Sequence, residues 1–184
     1  MSNFLTITER YLKENSIIND NADVKILQPI ILMVQDIYLH PILGTDLFNS
    51  VKAEIIAESV SADNQTLLDS YVLPLMLWYC LSESTPAFKY RYMNKGVMVK
   101  SSENSSPADL EEIKWLMDKW KNTAEDYAQR CTRFLKANST TYPLYLANTD
   151  CDDIKPNKNN YTTSIFLDDG LSDDEEYNIR IGRY

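Results

Sequence analysis

Pro107-Ala-Asp-Leu-Glu-Glu-Ile-Lys-Trp-Leu-Met-Asp-Lys-Trp-Lys-Asn-Thr-Ala-Glu-Asp-Tyr-Ala-Gln-Arg-Cys-Thr-Arg-Phe-Leu-Lys-Ala137 carries the strongest periodic signal in the chain. Leu110, Ile113, Met117, Trp120, Ala124, Tyr127, Cys131 and Phe134 recur at steps of three and four, the spacing that lines one face of an α-helix. Pro107 suits a first helical position, where its missing N–H has no partner to lose. The segment predicts one helix of about 31 residues, ~46 Å long. A sphere for the first 146 residues would be roughly 40 Å across. The helix outreaches it, so either the domain is elongated or neighbouring chains cover the helix ends.

Trp115 lies outside that stripe. At 100° per residue it points roughly 150° away from the stripe's centre, among Glu112, Lys119, Asp126, Arg130 and Arg133. A large aromatic amid charges suits a contact anchor between subunits. The other reading tucks it under the hairpin or the N-terminal helix of its own chain.

Working outward, Thr6-Ile-Thr-Glu9 reads as a capping box opening a short helix to about Asn15. A second helix is expected over Asp23 to Leu39, with Val24, Leu27, Ile31, Val34 and Tyr38 on one stripe and a bend at Pro29. His40-Pro41-Ile-Leu-Gly44 reads as a break, after which Thr45 caps a third helix to about Glu58. A fourth, from about Gln65 to Ser84, is apolar nearly all round, which marks the central helix.

Lys89-Tyr-Arg-Tyr-Met-Asn-Lys-Gly-Val-Met-Val-Lys100 then has short β-like segments around Asn94-Lys95-Gly96, the pattern of a hairpin with a glycine turn. Lys89, Arg91, Lys95 and Lys100 have no acid among them and alternate with Tyr90 and Tyr92. Such a surface fits single-stranded nucleic acid, a protein partner, or an edge whose lysines discourage strand pairing.

Beyond Tyr142-Pro143 the periodicity fades. Residues 147–184 hold nine Asp/Glu and four Lys/Arg, and read as an extended acidic tail appended to a 1–146 helical domain. Ile165-Phe166-Leu167 and Tyr161 are out of place in a purely solvating segment. They suggest a tail mobile in the free subunit, whose apolar island docks on a neighbour while its acids meet Lys89, Arg91 and Lys95. The expected fold class is thus mainly α: a helical bundle with a long C-terminal helix, one hairpin insertion and this tail.

Composition narrows the chemistry. Of 184 residues, 44% are hydrophobic and only four are Gly, which suits a globular helical chain and leaves little room for phosphate-binding loops. Net charge is −9, which opposes nucleic-acid binding at long range. The longest apolar run, Tyr71 to Leu81, is too short to cross a bilayer, and the N-terminus lacks the pattern of a secretory signal. Cys80, Cys131 and Cys151 are scattered, and the first two fall on apolar helix positions as core thiols. His40 is the only histidine and has no motif partner for catalysis. Asp168-Asp169-Gly170 with the acids that follow lacks the ligand alternation of a calcium loop. We expect no catalytic, cofactor-binding or metal-binding residues, and no enzyme.

Three segments together resemble a known family: Leu68-Asp-Ser-Tyr-Val-Leu-Pro-Leu-Met-Leu-Trp78, Asn94-Lys-Gly-Val-Met-Val-Lys-Ser-Ser-Glu-Asn-Ser105, and the helix opening Pro107-Ala-Asp-Leu-Glu-Glu-Ile. Pro41-Ile-Leu-Gly-Thr-Asp-Leu47 fits the same pattern. They resemble head–tail connector (adaptor, or neck ring) proteins of tailed bacteriophages, of the crAss-like type, over roughly residues 1–145. The resemblance implies a virion protein made in the host bacterial cytoplasm and placed at the head–tail interface. It implies a homo-oligomeric ring of twelve copies that docks to the portal, extends the DNA channel, and offers a platform to another neck or tail protein. Duplex DNA would pass through without specific binding, and no membrane is involved. The rival reading is a small acidic inhibitor that mimics DNA charge and acts as a monomer or dimer.

Overall fold

Capping groups and prolines set the helix boundaries in the structure of the chain, a computed structural model that describes residues 4–94, 96–99, 109–147 and 154–156. Helix α1 is Glu9–Asn15, and its N-cap is Thr8, whose hydroxyl accepts from the Tyr11 N–H. The expected cap, Thr6, is used elsewhere. Its backbone N–H and its hydroxyl both donate to Gln35 Oε1, while Gln35 Nε2 donates to the Phe4 carbonyl. Gln35 is buried, and these bonds satisfy it while fastening the N-terminal segment to the second helix.

Helix α2, Val24–Val34, is capped by Asp23 and continues without a break through a π-helical turn, Gln35–Leu39, into α3, His40–Leu43. The expected interruption at His40-Pro41 is therefore absent, and the chain turns at Gly44 instead. Pro41 is accommodated because the turn before it is widened: the His40 N–H bonds to the Gln35 carbonyl, five residues back. The arrangement repeats around Pro74. Helix α5, Ala62–Leu67, capped by Ser61, runs through a second π-helical turn, Leu68–Val72, into α6, Leu73–Lys89. There the Leu73 N–H bonds to the Leu68 carbonyl. Each widened turn carries core residues on both of its flanks. Across the first, Val34, Gln35 and Leu39 are buried and Tyr38 is partly buried; across the second, Leu67, Leu68 and Val72 are buried.

Helix α4, Thr45–Ile56, packs behind Gly44. A hairpin of β1, Tyr90–Met93, and β2, Gly96–Val99, follows α6 directly, with Tyr90 paired to Val99 and Met93 to Gly96. Lys89 is thus the last helical residue and lies just outside the hairpin. The long helix is α7, Leu110–Ala137, opened by a capping box between Asp109 and Glu112. Positions 107 and 108, expected to begin it, lie outside the described residues. At 28 residues it is ~42 Å long, close to the diameter of the body, so its length alone does not call for neighbours.

The expected central helix is central: α6 packs on α7 along one side and on α2 along the other. The main core gathers Leu12, Ile31, Leu43, Val51, Leu75, Met76, Cys131 and Leu135, with Tyr145 from a 3-10 turn, Pro143–Tyr145, closing one end. A smaller cluster of Ile18, Leu27 and Leu81 packs with Trp78 and Trp120, whose rings stack 5.1 Å apart. Ile113, Ala124 and Cys131 are buried on α7 as the stripe requires, but Leu110, at its open end, is 61% exposed. The continuous run Val24–Leu43 is long and apolar enough, by length and composition, to cross a bilayer, which the sequence reading did not anticipate. Here the run supplies Leu27, Ile31, Val34, Leu39 and Leu43 to the core, and core helices pass the same test.

Candidate functional site

Two surfaces and one junction stand out among the described residues. The first surface is the outer side of α7. Trp115 is 64% exposed there, so it does not tuck under another part of the described chain. Its electrostatic companion is Lys119, one turn on, whose Nζ lies 5.3 Å from the Trp115 ring and 5.0 Å from that of Trp120. The i,i+4 spacing brings that ammonium to Trp115, while Trp120 is its chain neighbour, and the negative face of each ring attracts it. Glu112, Asp126, Arg130 and Arg133 are exposed around the same side, as the helical phase requires.

The second surface is a cleft of about 500 Å³ where the α1–α2 loop meets the end of α6 and the start of α7. Ile17, Ile18, Ile26, Leu81, Phe88 and Leu116 give it apolar walls, and Asn19, Asn21, Asp23, Ser84 and Thr85 add polar groups. Ile17 is 72% exposed there. This cleft was not foreseen. Its one sequence signal is Ile17-Ile18, an apolar pair flanked by Ser16 and Asn19-Asp-Asn21, where a solvated loop would have no use for it.

The junction joins distant parts of the chain. The Ile154 N–H donates to Thr45 Oγ1 at 2.9 Å, and the Thr45 N–H donates to the Ile154 carbonyl at 3.1 Å. Thr45 Oγ1 also lies 2.9 Å from His40 Nε2, and the His40 ring stacks on Phe48 with centroids 4.6 Å apart. Thr45 therefore does not cap α4 with its side chain; the N-cap is Gly44, at φ +76°. Only glycine holds that backbone without strain, and it also lets Pro156, which is buried, come close.

Of the expected contact residues, Trp115, Lys89 and Arg91 fall on described positions. Lys89 ends α6 with its Nζ 5.5 Å from the Tyr90 ring. Arg91 pairs with Met98 in the hairpin register. Lys95, Lys100, Tyr161, Ile165, Phe166 and Leu167 lie outside the described residues. The cation at Trp115 is Lys119, which is not one of the hairpin cations.

Titratable groups are tuned for packing. Burial pushes the Cys131 thiol up to about 12, and burial with nearby Glu83 raises Cys80 further. Burial, then the 2.6 Å bond its hydroxyl donates to Glu83, raises Tyr38 to about 12. The Glu54 carboxylate is held below its ordinary range by the Ser61 N–H, then by the Asn64 amide, both of which donate to it. Among the described residues, no three His, Cys, Asp or Glu side chains converge as a metal site would require.

No curated protein and no solved structure matches the chain. One family model does, over residues 39–155, so the matched region runs from the end of the first π-helical turn to the Ile154–Thr45 pairing. That covers more than half of the sequence, and the chain belongs to DUF6712, a family of unknown function.

Proposed function

We propose that this protein is a structural subunit of a phage neck: a homo-oligomeric ring that docks on the portal, extends the DNA channel and presents a platform for the next neck or tail protein. The observation that carries the reading is Trp115, a large aromatic left 64% exposed beside Lys119 on the longest helix. An exposed aromatic of this size beside a cation is the kind of side chain that anchors a contact, and an assembling subunit has a partner to cover it. The connector-like segments 41–47, 68–78 and 94–105 support the same assignment. So does the net charge of −9, since an acidic ring repels duplex DNA and lets it slide. In this reading the subunit has no catalytic step, and twelve copies form the ring.

The test is particle imaging of the purified protein mixed with its portal, because adaptors of this kind assemble on the portal as a template. Rings stacked coaxially on portal particles are the expected result. A protein that ignores the portal, stays monomeric or dimeric and captures a DNA-binding enzyme would instead be an acidic inhibitor.

A further inference from the structure

We propose that the cleft walled by Ile17, Ile18, Ile26, Leu81, Phe88 and Leu116 receives Trp115 of a second copy of this chain, a deepening of the ring reading, on which it rests for the partner's identity. The chain carries both halves of such a contact. The cleft, about 500 Å³, has apolar walls with polar groups from the α1–α2 loop and from Ser84 and Thr85, and its size is that of an ordinary binding pocket. Trp115 is the most exposed aromatic side chain on α7 and the kind of residue that anchors interfaces when a dry pocket takes it. A chain does not fill its own cleft this way. Leu116 lines the cleft, and Trp115, one residue earlier, is turned about 100° from it around the helix.

Charge gives the same pairing. Lys119 sits over the Trp115 ring and travels with it, and Asp23 stands among the polar groups of the cleft. An indole seated against Leu81 and Phe88 brings that ammonium toward the carboxylate. The opposite orientation, cation into the apolar wall, leaves a buried charge without a partner. Complementarity of this sort sets the register of a contact more than its strength. Knob and cleft are separate surfaces set about 100° apart around α7, so copies either pass Trp115 head to tail or exchange it about a two-fold axis.

Sedimentation of wild type, Trp115→Ala and Ile17→Glu up to millimolar concentration tests the proposal. Ile17 is largely exposed, so its replacement leaves the fold intact; thermal melts of both variants check this. Each variant should weaken self-association about 30-fold or more, the scale of a lost aromatic anchor. An equimolar mixture of the two should recover a pair held by one intact junction, the Ile17→Glu copy supplying Trp115 and the Trp115→Ala copy supplying the cleft. A wild-type chain that stays monomeric throughout overturns the proposal. So does unchanged association of Trp115→Ala, including the case where Ile17→Glu alone lowers the melting temperature because the cleft is filled from within its own chain. Portal-bound rings that form equally well from both variants would leave the ring reading standing and remove this junction from it. Association that stops at a dimer using both Trp115 side chains would keep the junction and count against the ring.

Discussion

Pro156 packs so closely on Gly44 that a β-carbon there would lie 2.7 Å from its Cγ and 2.8 Å from its Cδ. Residues 112 positions apart thus share one volume, and the glycine is required twice, for its φ of +76° and for this approach. Gly44→Ala should cost about 1–3 kcal/mol from backbone strain alone, with a further loss from the clash. Pro156→Ala in the same chain should return the second part and not the first. A double-mutant cycle by chemical denaturation measures the coupling, and additive losses would mean that the two residues do not share that space.

Gln35 gives a second test. Its amide serves the Phe4 carbonyl and the Thr6 N–H from within the first π-helical turn. Gln35→Met keeps the length of the side chain and removes these bonds together with the one from the Thr6 hydroxyl. The expected loss is about 1–3 kcal/mol, the cost of leaving buried polar groups unpaired, with faster hydrogen exchange at the Thr6 amide. Unchanged exchange there would show that the N-terminal segment is held by the packing of Phe4 and Ile7 and not by these bonds.

Tyr145 should behave in the opposite direction. Its ring is fully buried, and among the described residues its hydroxyl has no hydrogen-bond partner. Tyr145→Phe removes an unsatisfied group and leaves the ring in place. Stability should rise by about 1 kcal/mol, roughly 2–4 °C in melting temperature for a chain of this size. A fall would mean that the hydroxyl is hydrogen-bonded after all.

Alkaline pH should unfold the protein through groups it buries protonated. Cys131 is raised from 9.0 to about 12, and Tyr38 and Tyr145 from 10.0 to about 12. Below about pH 9 both folded and unfolded chains hold these protons, and the groups leave stability unchanged. Above it the unfolded chain releases protons that the folded chain retains, so stability falls steadily toward pH 12. Melting temperature should be level from about pH 7 to 9 and then decline. A thiol reagent should reach Cys80 and Cys131 only as the chain unfolds. A level profile to about pH 11, or fast labelling of these thiols, would contradict the burial.

The helices were largely legible because their apolar spacing depends on local geometry. The stripe on α7, the central position of α6 and the hairpin around Asn94 follow from periodicity and a glycine turn. What was misread turned on chemistry that period-counting does not see. His40-Pro41 looked like a stop because a proline opposes an α-helix, yet a widened turn absorbs it and Gly44 ends the helix. Thr6 looked like a cap because of Glu9, but Gln35, 29 positions away, competes for its hydroxyl. Trp115 was found as an outlier from the stripe. The cleft was missed because it is made by three elements that sequence order keeps apart.

The two π-helical turns, Gln35–Leu39 and Leu68–Val72, also bear on how this chain can change in length. Deleting one residue from a regular helix turns everything beyond it through about 100° and drags core side chains into water. Within these two turns the same deletion restores ordinary α geometry and keeps Leu39 to Leu43, or Val72 to Leu75, in phase with the core, while setting Pro41 or Pro74 in an unwidened helix as Pro29 and Pro86 already are. Asp36 and Ser70, both exposed, are the residues whose loss would do least harm. Relatives one residue shorter than this chain should therefore place their alignment gaps there, and a scan of single-codon deletions should find its survivors in the same two windows.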